Sequence, residues 1–295
     1  MIDCRSLDLE VEDIDAARQH CRRLASSHYE NFTVVLPLLN SKLRQDLANI
    51  YAYCRWVDDL ADRDLPAAEI LSDLDKFEAM LDASFAGSPP PHPVFLALQE
   101  TVDRRHLEAQ PFYDLISAFR QDQRKKEYES FTELIDYSRR SAAPVGRLVL
   151  DCFEARSDLT EHYADATSIA LQLVNFWADV PIDFELGRIY LPRQDRQRFG
   201  VRREELQAGE VTDSFIKLMA FEIERTRDWL RLGWNLVDHL NFPLSLAVQL
   251  FNAGGWKVLD KIEAAGYDVF SRRHTLNRSD KFVLFLQGAW ACLAG

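Results

Sequence analysis

Apolar residues recur along this chain at three- and four-residue intervals, the spacing that puts them on one face of a helix. Residues 158–185 and 212–240 are the longest such runs. No stretch shows the strict apolar–polar alternation between Asn-Gly or Asp-Gly turns that marks a β-hairpin. Breaks in the pattern are few. Ala86-Gly-Ser-Pro-Pro-Pro-His-Pro93 reads as a rigid surface loop between helices, and residues 187–192 as a second interruption. A third is Asn241-Phe-Pro243, where Pro243 is expected to open a new helix. None is long enough for an interdomain linker, and no internal repeat of fixed period is present. The pattern predicts an all-α chain, residues 1–295 forming one domain of roughly ten or more helices, with residues 1–20 as a peripheral N-terminal segment.

Composition narrows the class. With 295 residues, 47% hydrophobic and 28% charged, the chain is ordinary for a soluble globular protein. The 35 Lys and Arg against 47 Asp and Glu leave a net charge of −12. The electrostatic attraction that supplies most nucleic-acid affinity is therefore missing, and nucleic acid is not expected as a partner. Cys4, Cys21, Cys54, Cys152 and Cys292 are scattered and form no CxxC pair, so they read as reduced thiols in a reducing compartment. The acidic N-terminus has no apolar signal core, and no window reaches the ~20 apolar residues of a membrane span. The nearest, residues 282–295, is short and contains Gln287. A soluble, cytoplasmic protein is the expectation.

Two stretches carry candidate chemistry. Tyr51, Arg55, Asp58 and Asp62 step by four, three and four, so their side chains share one helical face. Ser168, Gln172, Asn175, Asp179 and Asp183 step by four, three, four and four. An isolated DxxxD pair in an acidic chain is most simply a solvated face. Here the carboxylates stand in register with Tyr51, Arg55, Gln172 and Asn175 and are flanked by Trp56, Phe176 and Trp177, which points to a ligand-lined interior. Two aspartates one turn apart suit Mg²⁺, which takes one or two carboxylates and leaves positions for substrate phosphates. Two such helices facing each other would clamp a diphosphate and neutralise it as a leaving group. Arg55 and Arg188 can complete the clamp with directional donors. An apolar, aromatic-lined cavity suits the carbocation left behind.

At these residues the chain resembles the squalene/phytoene synthase family of head-to-head prenyl synthases. The resemblance runs from about Ser27 to Asp280 and includes His28-Tyr-Glu-Asn-Phe32, the stretch from Tyr51 to Asp62, and Asp114-Leu-Ile-Ser-Ala-Phe-Arg-Gln-Asp122. It continues through Asp136-Tyr-Ser-Arg-Arg-Ser-Ala-Ala-Pro-Val-Gly146, the stretch from Gln172 to Asp183, and Gly187-Arg-Ile-Tyr-Leu-Pro192. It implies an α-helical isoprenoid synthase fold around a central apolar cavity, with Asp58, Asp62, Asp179 and Asp183 binding Mg²⁺-diphosphate. Within the family the motifs look most like bacterial hydroxysqualene synthases of hopanoid-type pathways. Those enzymes ionise presqualene diphosphate, rearrange the cyclopropylcarbinyl cation and quench it with water. A presqualene diphosphate synthase upstream and a flavin-dependent hydroxysqualene reductase downstream are the implied pathway neighbours. For an enzyme of thirty-carbon lipids, transient contact with the inner membrane surface is a further expectation.

The candidate catalytic residues are thus Arg55, Tyr51, Asn175, Gln172, Arg139 and Arg140, and the candidate substrate-binding residues His28, Phe32, Arg188 and Tyr190. Each has a plainer alternative. Arg55 can be an ion-pair partner of Asp58 or Asp59; Asn175 and Gln172 can be buried amides; Tyr51 and Phe32 can be core; His28 can be structural; and of the adjacent Arg139 and Arg140 at most one is expected inward. Three departures from the family pattern stand out. Ser138-Arg139-Arg140-Ser141 occupies the neighbourhood of a tyrosine, and Gly254-Gly255 stands where relatives tend to have another, which predicts open space and altered water access. Pro181, between Asp179 and Asp183, is expected to kink or end its helix and to loosen the alignment of Asp183. The stretch Tyr267-Asp-Val-Phe-Ser-Arg-Arg-His274 reads as a surface turn, a pocket cap or a contact for an anionic membrane. The rival functions are condensation of two farnesyl diphosphates, to presqualene diphosphate or onward to a squalene- or phytoene-type product, and a non-catalytic helical isoprenoid-binding scaffold.

Overall fold

Helix starts follow side chains that can accept the unsatisfied N–H groups of a first turn. Asn40 accepts the Leu43 N–H at 2.9 Å, Ser130 that of Glu133 at 3.2 Å, and Thr212 that of Phe215 at 3.1 Å. Ser157 and Thr160 form a reciprocal capping box. Stops follow glycines in the left-handed region, as at Gly200 and Gly209. The computed structural model describes residues 7, 9–11, 13–28, 38–277, 279–280 and 283–284, the side chains of 27 and 28 excepted. Among them are thirteen α-helices and a 3-10 helix, and the one β-type contact is an isolated bridge between Glu127 and Ile189. The all-α expectation holds. None of the described helices is long and apolar enough to cross a membrane.

The described residues cluster into two compact units, one within Met1–Arg124 and Pro144–Arg156, the other within Lys125–Ala143 and Ser157–Gly295. The first contains α1 (Ile14–His28), α2 (Ser41–Ala61), α3 (Ala67–Phe85), α4 (Pro93–Arg105), α5 (Gln110–Asp122) and nearly all of α7 (Ala143–Cys152). Tyr53 and Trp56 of α2 are buried against Phe77, Phe95 and Phe112, with ring centroids 4.7–6.2 Å apart. The same helix is fixed nearer its start by Asp46, fully buried and held by Arg104 at 2.8 Å and Arg105 at 2.9 Å. With that face committed to the core, Tyr51, Arg55 and Asp58 are left half-buried on another. Part of the N-terminal segment expected at the periphery is instead core. Residues 14–20 form the first turns of α1, where Ala17 is fully buried, because α1 packs along α2 and α4.

The second unit contains α6 (Phe131–Ser141), α8 (Asp158–Ala178), α9 (Val180–Glu185), α10 (Arg193–Phe199), α11 (Arg203–Ala208), α12 (Asp213–Trp234), the 3-10 helix Asn235–His239 and α13 (Leu244–Ala264). Helix α8 packs mainly on α12 and α13. Its last turn is pinned by the buried Trp177, whose indole N–H donates to Thr226 Oγ1 at 2.7 Å. At the other end of the contact α12 approaches α8 so closely that a Cβ on Gly233 would lie 2.4 Å from Thr167 Oγ1 and 2.8 Å from its backbone N. The long run 158–185 is two helices rather than one. Pro181 cannot donate to the Trp177 carbonyl, so the chain leaves helical geometry at Asp179 (φ −106°, ψ 12°) and restarts with proline in the first turn of α9.

Two stability outcomes follow. Gly233→Ala should destabilise by about 1–3 kcal/mol through overpacking, and Thr167→Ala should not rescue it, because the backbone clash remains; urea denaturation of the three variants is the check. The Glu222 carboxyl is buried, so its pKa rises to about 7, with Arg225 pulling it down and Asp195 pushing it up. A carboxyl raised on folding contributes stability fully below about pH 4.5 and loses it as pH climbs to about 7. Glu222→Gln should therefore gain on the wild type across that interval and keep the gain above it, read from melting temperatures at stepped pH.

Candidate functional site

Both aspartate pairs lie where a long helix ends. Helix α2 is 21 residues long and is capped by Asp62, whose backbone N–H reaches the Asp58 carbonyl at 3.0 Å. Helix α8 is also 21 residues long and is capped by Asp179, whose N–H reaches the Asn175 carbonyl at 2.9 Å. A helix C-terminus carries partial negative charge, so these are positions that favour Lys or Arg and disfavour carboxylates. Neither helix has a basic residue in its last turn. At the end of α2 negative charge has been gathered where the backbone already supplies it, and such a place calls for a cation; Asp179 is also the N-cap residue of α9 and Asp183 lies in its first turn.

In the first unit, Arg55 Nη2 donates to Asp59 Oδ1 at 2.5 Å and Nη1 lies 3.6 Å from Asp58 Oδ2. Asp59 is 15% exposed and Asp58 40%. The ion-pair alternative for Arg55 is therefore present in this state, and Asp59, set off the stripe by its spacing, is the closer partner. Burial works against the Arg55 charge, yet Asp59 and Asp58 outweigh it and raise its pKa. Burial also pushes the Tyr51 phenol up, while Arg55 pulls it down. Asp62 is exposed. His28 closes α1, but its side chain lies outside the described residues, as does all of Phe32.

In the second unit, the i,i+4 link survives Pro181: the Asp183 N–H donates to the Asp179 carbonyl at 2.8 Å, so the expected loosening is not seen in the backbone. The Arg188 N–H then reaches the Asp183 carbonyl at 2.7 Å, across a turn that Gly187 makes at φ 75°. Asp183, Arg188 and Tyr190 line one small pocket together with Phe176. The Tyr190 ring stacks on Phe176 at 3.8 Å and 13°, so it is a buried aromatic wall. Gln172 is half-buried, but Asn175 is exposed; the reading of Asn175 as a buried amide is corrected, because it sits on the outward side of α8's last turn. Arg139 is exposed, whereas Arg140 is half-buried and paired with Asp136 at 2.9 Å.

One further correction concerns the departures. The double glycine leaves no open space. A Cβ on Gly254 would meet Leu276 at 3.1 Å, and one on Gly255 would meet Leu171 at 3.1 Å and Leu230 at 3.2 Å. The 267–274 stretch is not only a surface turn: Arg273 grips Asp179, with Nε to Oδ1 at 2.5 Å and Nη2 to Oδ2 at 2.7 Å. Sequence spacing could not pair residues 94 positions apart; the one signal was the short basic run Arg272-Arg273-His274 near the end of the resemblance.

The donor set fits Mg²⁺ without forming a cage for it. Among the described residues no three His, Cys, Asp or Glu side chains gather around a metal-sized point. Pairs of aspartates with substrate oxygens completing the shell are what a hard, well-hydrated cation accepts.

The chain is similar to known proteins over most of its length. The family model for squalene/phytoene synthase matches residues 25–280. The phytoene synthase of Arthrospira platensis is 33% identical over 270 residues, covering 86% of each chain. Squalene synthase HpnC from Alicyclobacillus acidocaldarius superposes with a TM-score of 0.81 at 38% identity, covering 86% of this chain and 96% of that one. A dehydrosqualene synthase solved with ligand reaches a TM-score of 0.87 at 23% identity, over 96% of this chain and 98% of that one, and shows the shared fold.

The Arg55–Asp59 contact yields a test. Asp59→Asn removes the closer partner of a partly exposed guanidinium, so stability should change by no more than ~1 kcal/mol. The KM for a prenyl diphosphate should rise several-fold with a smaller fall in kcat, as expected when a binding group loses its support. Steady-state kinetics of diphosphate release beside a urea titration would measure both, and an unmoved KM would remove Asp59 from the site.

Proposed function

The chain belongs to the squalene/phytoene synthase family, and from that premise we propose that it converts presqualene diphosphate to hydroxysqualene, with release of diphosphate, in a squalene and hopanoid pathway. The observation that carries the reading is the pair of i,i+4 aspartates at each of two helix ends, Asp58 with Asp62 at the end of α2 and Asp179 with Asp183 across the junction of α8 and α9, each with an arginine on its carboxylates or on a neighbouring one. A non-catalytic scaffold has no use for Asp58 and Asp62 at the C-terminal end of α2, where the helix disfavours carboxylates. Likeness to HpnC at 38% identity supports the squalene-forming branch over the carotenoid one.

In this reading Asp58, Asp62, Asp179 and Asp183 hold Mg²⁺, which when bound neutralises the diphosphate as it departs. Arg55 and Arg188 donate to diphosphate oxygens, Arg188 from the pocket it shares with Asp183 and Tyr190. The carbon–oxygen bond breaks with its electron pair leaving on diphosphate, and the cyclopropylcarbinyl cation rearranges. Water then adds through oxygen and loses a proton to give the alcohol, so no reductant is consumed. Tyr190 and Phe176, stacked on each other, are an aromatic wall of the pocket that Asp183 lines. Arg139, Arg140, Tyr51, Gln172 and Asn175 remain candidates for orienting substrate or water, with His28 and Phe32 for the prenyl chain. The match from 25 to 280 crosses both units, which supports treating the chain as one catalytic domain. The thiols Cys21 and Cys152, buried and unbridged, support a reducing cytoplasmic setting, with transient contact at the inner membrane surface for lipid exchange and a presqualene diphosphate synthase and a flavin-dependent reductase as neighbours.

The second reading, head-to-head condensation, is favoured by the phytoene synthase relatives at about one-third identity. The deciding experiment gives the purified protein Mg²⁺ and, in separate reactions without NADPH, presqualene, farnesyl or geranylgeranyl diphosphate, followed by mass analysis of extracted lipids. Hydroxysqualene from presqualene diphosphate is the expected result. A cyclopropyl diphosphate or a C40 hydrocarbon from the other two, with no alcohol from the first, selects condensation; no product from any selects the scaffold. Asp58→Asn and Asp179→Asn should each lower kcat on the order of 10²-fold or more, the size seen when one group stabilising transition-state charge is removed; unchanged turnover in both would make the metal assignment wrong.

A further inference from the structure

The segment that follows α13 is built to present one guanidinium. The Asp268 carboxylate accepts the N–H groups of Phe270 at 3.0 Å and Ser271 at 2.9 Å and the Ser271 hydroxyl at 2.5 Å. Val269 is fully buried, and the Phe270 ring lies 4.9 Å from that of Phe215. On the far side His274 is buried, its Nε2 at 2.7 Å from the Asp268 carbonyl, and Lys261 Nζ donates to the Thr275 carbonyl at 2.9 Å. Between these anchors Arg273 projects to Asp179 and satisfies both of its carboxylate oxygens. Arg273 is 53% exposed and Asp179 17%.

We propose that Arg273 is a positioning residue that competes with the divalent cation for Asp179: it holds the carboxylate in the metal-free enzyme and sets the metal concentration at which that site loads. The inference rests on the reading of Asp179 as a metal ligand. A carboxylate with both oxygens in a planar guanidinium fork has one lone pair on each oxygen occupied and a full positive charge beside it, so Mg²⁺, which needs about 2.0–2.1 Å in octahedral geometry, meets charge repulsion and a restricted approach there. Loading therefore weakens or displaces two charge-assisted hydrogen bonds. Until then Arg273 supplies the positive charge on the Asp179 carboxylate. The anchored flanks on either side keep the guanidinium within reach, so the latch re-forms when the metal leaves.

The test measures metal affinity rather than turnover. Mn²⁺ is titrated into the full-length protein with inorganic diphosphate, and bound ion is followed by electron paramagnetic resonance. Arg273→Gln should bind Mn²⁺ about 5-fold tighter or more, the equivalent of ~1 kcal/mol of lost competition. Arg273→Lys, which keeps the charge but loses the fork, should fall between it and the wild type. A structural role alone would weaken metal binding or leave it unchanged, and either result in a folded Arg273→Gln overturns the proposal. If that variant does not fold, Arg273→Lys carries the same comparison. Asp179→Asn separates the two levels of inference: affinity equal to the wild type there means that Asp179 is not a ligand, and the underlying reading fails instead.

Discussion

Carboxylates at the C-terminal end of an α-helix sit in the one place where the backbone itself repels them, at a cost of about 0.3–1 kcal/mol each. This chain does so at the end of α2, with Asp58 and Asp62, and again with Asp179 at the junction of α8 and α9, and neither α2 nor α8 has a basic residue in its last turn. Much of the surrounding structure can be read as support for that arrangement. Tyr53 and Trp56 commit the core face of α2, and Asp46 with its two arginines fixes the same helix nearer its start. Trp177 locks the last turn of α8 through Thr226. Rigid helices then deliver side chains that are themselves electrostatically unsatisfied without a positive partner.

The two pairs are not built alike. Asp62 simply caps α2, so the first pair is an ordinary i,i+4 couple at a helix end. The second pair straddles a break, with Asp179 in non-helical geometry and Asp183 in the next helix, and the hydrogen bond from the Asp183 N–H to the Asp179 carbonyl preserves the spacing. Pro181 causes the break and also makes it tolerable, because the first turn of the new helix has no use for the N–H that proline lacks. A helix interruption here redirects the chain toward the 187–192 turn without separating the carboxylates in sequence register, and it brings Arg188 and Tyr190 to the pocket that Asp183 lines.

What the sequence made legible is what local periodicity encodes. Helix class, the shared face of Tyr51, Arg55 and Asp58, the loop before Pro93 and the disturbance at Pro181 all depend on residues within a turn or two of one another. Burial is less local, and there the reading failed in both directions. Asn175 looked interior because its neighbours are aromatic, yet Phe176 and Trp177 face the core and turn it outward. Gly254 and Gly255 looked like lost volume, yet Leu276, Leu171 and Leu230 come from three other stretches to fill it. The same blindness hid Arg273, since nothing within a few residues of it names its partner.

Arg55 and Arg273 show how differently a guanidinium can serve a carboxylate pair. Arg55 is on the same helix as its partners, places its short hydrogen bond on Asp59 and approaches Asp58 only to 3.6 Å. Its distance from the pair is fixed by the helix, and Asp58 can change ligands without moving it. Arg273 reaches its carboxylate from another segment and takes one hydrogen bond on each oxygen, so a new ligand on Asp179 must contend with Arg273. A local arginine therefore adds a constant positive potential, whereas a distant one adds a competing contact. The second kind of contact requires the tertiary structure, because its two residues lie 94 positions apart in the chain.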